Sequence, residues 1–251
     1  KCEACKFTFN PPDRPWSASK YGPGILAYAI YHSIGLRMSL EGVHESLNRL
    51  FGVNLALGVI NELKAKAANE YRYAYERLMA KIVGGSLIHA DETKVSVKGV
   101  EGFAWVFTSM EEVFYVYAKT REGDILERLL KGFKGVLVSD FYTAYDSIQC
   151  DQQKCLIHLM RDLNDAVLKQ PYDEELKGLV KSFADLVRPM VETVDRYGLK
   201  SHFSRKHLRV VDRFYRDLLR CHFLTETALK FKDRFEQNRY KLFTFLSHDG
   251  V

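Results

Sequence analysis

At Gly84-Gly85 the apolar spacing switches from a period near 3.6 to a period of 2, and it keeps that shorter period through three consecutive runs. Leu87, His89, Asp91, Thr93, Val95 and Val97 fall on one face of the first run, with Ile88, Ala90, Glu92 and Lys94 on the other. A turn at 98–102 leads into 103–108, and Glu111-Glu112 turns into 113–118, so the three runs predict an antiparallel meander. Helical patterns lie on both sides of it. The fold class is therefore α/β (α+β): a mixed sheet with helices.

After the meander, Thr120 is a candidate cap for a helix carrying Ile125, Leu126, Leu129 and Leu130 and ending at Gly132. Residues 135–138 are a short unbroken apolar run, as expected of a strand buried on both faces, and they deliver Asp140 at its C-terminal end. A further strand is predicted at 154–157, passing into a helix near His158. The order β-β-β-α-β-α-β-α is that of an RNase H-like sheet, whose metal-binding acids come from the first strand and the end of the fourth. Asp91 and Asp140 fall at those two places. Carboxylates from separate strands suit Mg²⁺ or Mn²⁺ and phosphoryl transfer. Each has a structural reading too: Asp91 as a hydrogen-bonded strand residue, Asp140 as a helix cap. Glu92 is turned away from Asp91 by the alternation, and Ser139 and Thr93 are assigned supporting or structural places.

Upstream, Cys2 and Cys5 have the spacing of half a zinc knuckle, and stand equally as two ordinary thiols. A Pro-rich linker spans 10–15, and a short helix is expected from about 21 to 33. Ser39 caps a helix stopped by Gly52, and one long stripe then runs from Ile60 to Ile82. The pair is open to two readings: an αα-hairpin that packs on its neighbours, or a helix-turn-helix presenting Asn61, Lys64 and Lys66 to DNA.

Downstream, the pattern is helical from Asp173 onward, with Pro189 inside its first long stripe. Within 204–220, Arg205, Arg209, Arg213, Arg216 and Arg220 form a stripe separate from Leu208, Val211, Tyr215, Leu218 and Leu219. Such a stripe is either a solvated face paired with Asp212 and Asp217 or a row of phosphate contacts. A last helix is expected over 225–246. The segments divide as 1–15 (partial knuckle and linker), 16–83 (helical, DNA-binding), 84–170 (RNase H-like core) and 171–251 (all-helical). The net charge of +5 says little about partners, and five cysteines at scattered positions argue for reduced thiols rather than a disulfide framework. No apolar run reaches the roughly 18 residues of a membrane span, so a cytoplasmic, nucleoid-associated protein is expected.

Four stretches resemble the DDE-type transposases of the insertion-sequence sixty-six group: residues 16–24, His89-Ala90-Asp91-Glu92-Thr93, residues 139–146, and Cys155-Leu156-Ile157-His158 with Arg161 one turn later. The resemblance implies a zinc-binding and helix-turn-helix region for transposon ends, then an RNase H-like domain in which Asp91 and Asp140 hold two Mg²⁺ or Mn²⁺ ions. His158 and Arg161 would support that site, His158 in a structural or phosphate-side role rather than as a metal ligand. It also implies DNA as partner, a homodimer or higher oligomer on it, and a third acid, a Glu beyond a segment like 245–251. Asp233, Glu226, Glu236 and Asp249 match no such motif and are left unassigned, so residues 1–251 alone are expected to cut poorly. The alternatives are a non-catalytic DNA-binding remnant of a transposase and another RNase H-like nuclease.

Overall fold

The computed structural model describes residues 3–6, 21–121 and 123–250. Two compact units divide the chain, Lys1–Glu76 and Arg77–Val251. Cys2, the 10–15 linker and residues 16–20 lie outside the described residues.

The first unit is helical. Helix α1 (Pro23–Ile30) opens on Pro23, whose missing N–H costs nothing at a helix start, and runs into a π-helical turn, Tyr31–Gly35. Helix α2 (Leu40–Phe51) is capped by Ser39, whose hydroxyl accepts from Gly42 N at 3.1 Å, and closes at Gly52 with φ 64°. Helix α3 (Leu57–Glu70) follows, and Ala29, Val43, Leu47, Ile60 and Leu63 form the core between the three. The single helix expected from Ile60 to Ile82 is two, because Tyr71 at ψ 1° ends α3 before α4 (Arg72–Val83) begins. One residue of changed ψ leaves the apolar period almost intact, so periodicity does not reveal such a break.

The second unit is built on a five-stranded mixed sheet in the order β3-β2-β1-β4-β5. Strands β1 (Leu87–Val97), β2 (Val100–Thr108) and β3 (Val113–Ala118) form the expected antiparallel meander. Its first hairpin is tighter than expected: Val97 pairs with Val100 across Lys98 (φ 52°) and Gly99 (φ 79°), a two-residue turn with both residues left-handed. Strands β4 (Val136–Ser139) and β5 (Asp151–Lys154) add in parallel to β1. One face of the sheet buries Ile88, Trp105, Phe107, Leu137 and Tyr145 with Leu126 of α5 (Asp124–Leu129). That helix starts after Gly123, not at Thr120.

Other boundaries differ from expectation for one common reason. Strand β5 is Asp-Gln-Gln-Lys rather than residues 154–157, and α6 (Leu156–Lys169) starts at Leu156, just before the expected His158. Gln152 and Gln153 are buried: Gln152 Nε2 donates to Tyr145 O while its Oε1 has no hydrogen-bond partner, and Gln153 donates to Leu242 O and accepts from Phe245 N at 3.0 Å. Residues 241–246 therefore return along β5, with Lys154 N donating to Lys241 O. That return ends α10 (Glu226–Gln237) well short of residue 246, leaving only a 3-10 turn at Thr244–Leu246. Helices α7 (Glu174–Tyr197, with Pro189 inside it), α8 (Ser201–Ser204), α9 (Leu208–Arg220) and α10 complete the helical part. Its core joins Phe183, Leu186, Tyr215, Phe235 and Leu246 to Leu159 and Leu163 of α6.

The crossing of β1 and β4 depends on Gly135. A Cβ there would lie 2.3 Å from Ser86 O, the oxygen that accepts from Val136 N at 2.8 Å and opens the β1–β4 ladder. Gly135→Ala is expected to lower stability by about 1–3 kcal/mol, since backbone, not a flexible side chain, must give way. Urea unfolding checks this: the midpoint should fall at unchanged slope.

Candidate active site

The parallel register sets the site. Leu87, Ile88 and His89 pair with Val136, Leu137 and Val138, so Asp91, two residues beyond the last pair on β1, and Asp140, the residue after β4, leave the same end of the ladder. Both aspartates line one recess of about 160 Å³ with His89, Thr108, Ser139, Cys155 and His158. The sheet thus brings together the two acids expected from sequence, and His158 with them.

Each aspartate uses one oxygen locally. Asp91 Oδ1 accepts from Glu92 N at 2.9 Å, and Asp140 Oδ1 accepts from Tyr142 N at 2.9 Å. Cys155 N donates to Ser139 O at 2.7 Å, fixing the start of α6 against the end of β4. His158 then reaches the recess one turn into α6, and its Nδ1 is buried without a hydrogen-bond partner. Arg161 is exposed and is not among the recess residues. Among the described residues no group of three or more His, Cys, Asp or Glu side chains is arranged to hold a metal ion. Two aspartates nonetheless offer hard oxygen donors of the kind Mg²⁺ takes, and imidazole is a poorer match for that ion.

Glu92 points to the opposite face, as the alternation predicts, and its side chain is only 2% exposed. It accepts from the buried Tyr145 hydroxyl and from Arg121, whose Nε donates at 2.7 Å. Burial, then the hydrogen bond to Glu92, pushes the Tyr145 phenol far up, so it remains a donor. Arg121 stacks on Tyr142 at 4.0 Å and lies 3.9 Å from Asp140 Oδ2. Sequence reasoning missed Arg121 because a lone basic residue between a strand and a helix carries no periodic signal. Lys154 was missed too: 1% exposed, it lies 3.0 Å from Asp146, which also takes Lys241 at 2.8 Å. Burial pulls the Lys154 ammonium down while Asp146 opposes it.

Burial also lowers the pKa of His89, within the recess, and of His207, in the helical part. The unfolded chain protonates histidine near its ordinary value of about 6.5, above the folded values. Stability is therefore expected to be complete above that value and to fall as pH drops through it. Thermal melts between about pH 7.5 and 5.5 check this, and His89→Asn should flatten part of the slope.

The other expected binding residues lie elsewhere. On α3, Asn61 is exposed while Lys64 and Lys66 are half-buried. Helix geometry puts Asn61 and Lys64 about 60° apart, with Lys66 on another side. Arg209, Arg213, Arg216 and Arg220 are exposed on α9 within an arc of about 60°, opposite buried Val211, Tyr215 and Leu218. Among the described residues none of the four has an ion-pair partner; Asp212 instead faces Arg239 at 3.5 Å. Arg205 precedes α9 in a 3-10 turn and feels Asp249. Cys5 is an exposed free thiol. No helix among the described residues is long and apolar enough to cross a membrane.

An α+β protein with two carboxylates at the end of a parallel strand pair, lining one recess, is the class these features define. The family model described as "Transposase IS66 family" matches residues 18–251, and the chain belongs to that family. It is also 25% identical over 142 residues to "Uncharacterized protein y4jD" of Sinorhizobium fredii (strain NBRC 101917 / NGR234), covering 47% of this chain and 28% of that protein. The chain spans little more than a quarter of the length of that curated relative.

Proposed function

We propose that this chain is the acid-bearing part of a DNA transposase that binds transposon ends and catalyses divalent-metal-dependent strand cleavage and strand transfer. The observation that carries the reading is that Asp91 and Asp140, just past the end of the β1–β4 ladder, line one recess. An antiparallel meander extended by two parallel strands supports an RNase H-like assignment, and the α2–α3 pair supports a helix-turn-helix one. Asp91 and Asp140 would hold Mg²⁺ or Mn²⁺, which when bound activates a hydroxyl nucleophile and stabilises the leaving oxygen in an in-line displacement at phosphorus. The residues' own contribution is to fix the carboxylates: each is tied through one oxygen to a backbone N–H, and the sheet holds their spacing. His158 and Arg161 are assigned to the phosphate side, and the third carboxylate to a position outside the described residues.

DNA would be contacted by Asn61, Lys64 and Lys66 on α3 and by the arginines of α9 with Arg205, with two or more copies assembled on paired ends. Cys2 and Cys5 are assigned to a zinc site whose other ligands lie outside residues 1–251. A second reading is a non-catalytic DNA-binding remnant, which keeps the exposed arginine face of α9 and needs no third carboxylate. The experiment is end cleavage and strand transfer by the full-length protein with Mg²⁺ or Mn²⁺. Metal-dependent cutting that requires both aspartates supports the transposase; DNA binding without cutting supports the remnant.

A further inference from the structure

Arg121 is the cation placed to compete for the recess. Its guanidinium is bound to Glu92, with Nε at 2.7 Å and Nη2 closer still, yet stands 3.9 Å from Asp140 Oδ2, within reach but not hydrogen-bonded. The partner it has chosen is the buried one: the Glu92 side chain is 2% exposed and that of Asp140 24% exposed. Tyr142 reinforces the choice, since its ring lies under the guanidinium and its hydroxyl donates to Arg121 O. Tyr145 fixes Glu92 from the other side.

We propose that Glu92 is a positioning residue that withholds Arg121 from Asp140, leaving the outer oxygen of Asp140 open to a divalent cation. The idea rests on the paired-carboxylate reading above. Adjacent residues of β1 then divide the labour across the sheet: Asp91 faces the recess, and Glu92, on the other face, retains the arginine that would close it. A carboxylate that loses its guanidinium leaves a mobile cation beside the nearest remaining carboxylate, and a charge-assisted contact forms there.

The test uses full-length protein labelled with ¹³C at aspartate carboxyls, the Asp140 resonance being assigned by its loss in Asp140→Asn. Mn²⁺ binding is followed in parallel by the free-ion electron paramagnetic resonance signal. Glu92→Gln keeps an acceptor for Tyr145 but loses the charge that holds Arg121. It is expected to shift the Asp140 resonance and raise the Mn²⁺ dissociation constant by about 10-fold or more. Arg121→Gln alone should leave Mn²⁺ affinity no weaker than wild type, and Glu92→Gln with Arg121→Gln should restore it to within about 2-fold, because the competitor is gone.

An unmoved Asp140 resonance in folded Glu92→Gln overturns the proposal. So does Arg121→Gln weakening Mn²⁺ binding as much as Glu92→Gln, which would make Arg121 a direct support of Asp140. If Glu92→Gln fails to fold, the Arg121→Gln arm decides: weakened Mn²⁺ binding there overturns withholding. Wild-type protein that binds no Mn²⁺ through Asp140 refutes the paired-carboxylate reading instead, and the resonance arm still judges the latch.

Discussion

Asp140→Asn in the full-length protein is expected to reduce end cleavage by at least about 100-fold, equivalent to about 2.7 kcal/mol of transition-state stabilisation. Asn is isosteric and keeps the oxygen that accepts from Tyr142 N, so the turn after β4 survives while the charge does not. Asp91→Asn should behave alike, because its carbonyl oxygen still accepts from Glu92 N. Neither aspartate packs in the apolar core, so thermal unfolding should stay within a few degrees of wild type, on the order of 0.5 kcal/mol. DNA binding, which draws on other surfaces, should persist. Cleavage retained by either variant would sink the assignment of both carboxylates, since their shared recess is the reason for pairing them.

Simultaneous replacement of Arg209, Arg213, Arg216 and Arg220 by alanine is the second large effect. Each arginine that neutralises a phosphate contributes about 0.9 to the slope of log affinity against log salt, so the slope should become shallower by roughly 3 to 4. At roughly 1 kcal/mol per screened contact, affinity for duplex DNA falls by up to about 1,000-fold near physiological salt. Helix α9 should be unharmed: the four side chains are exposed and unpaired among the described residues, while Val211, Tyr215 and Leu218 hold its other face. Fluorescence anisotropy across a salt series reads the result. An unchanged slope would identify the stripe as a solvated face, the ordinary fate of a charged helix surface.

The residues that were legible in sequence are those whose partners are near in the chain or whose pattern is periodic. Alternation alone separated Asp91 from Glu92, and the burial of Glu92 beside Tyr145 bears out that split. The unbroken run ending at Ser139 located β4 and hence Asp140. What stayed hidden was held by distant partners. Nothing in Asp-Gln-Gln-Lys reads as a buried strand, because the groups that satisfy Gln153 arrive at Leu242 and Phe245. Arg121 gains its meaning only when Glu92 and Asp140 are brought to it. The early end of α10 has the same origin, a chain that turns back to the sheet.

That return along β5 has a consequence for the order of assembly. The meander joins neighbours in the chain and can form as soon as residue 118 has been synthesised, whereas β5 leaves the Gln153 side-chain oxygen and the Lys154 N–H unpaired until residues 241–245 arrive. Burying such groups unpaired is costly, and closing so long a loop is slow. A nascent chain would therefore hold Asp91 on a finished hairpin while the strand flanking Asp140 waits on the far end of the helical segment. Asp91 and Asp140 would come to share one recess only after residues 241–245 have been made, long after the hairpin that carries Asp91.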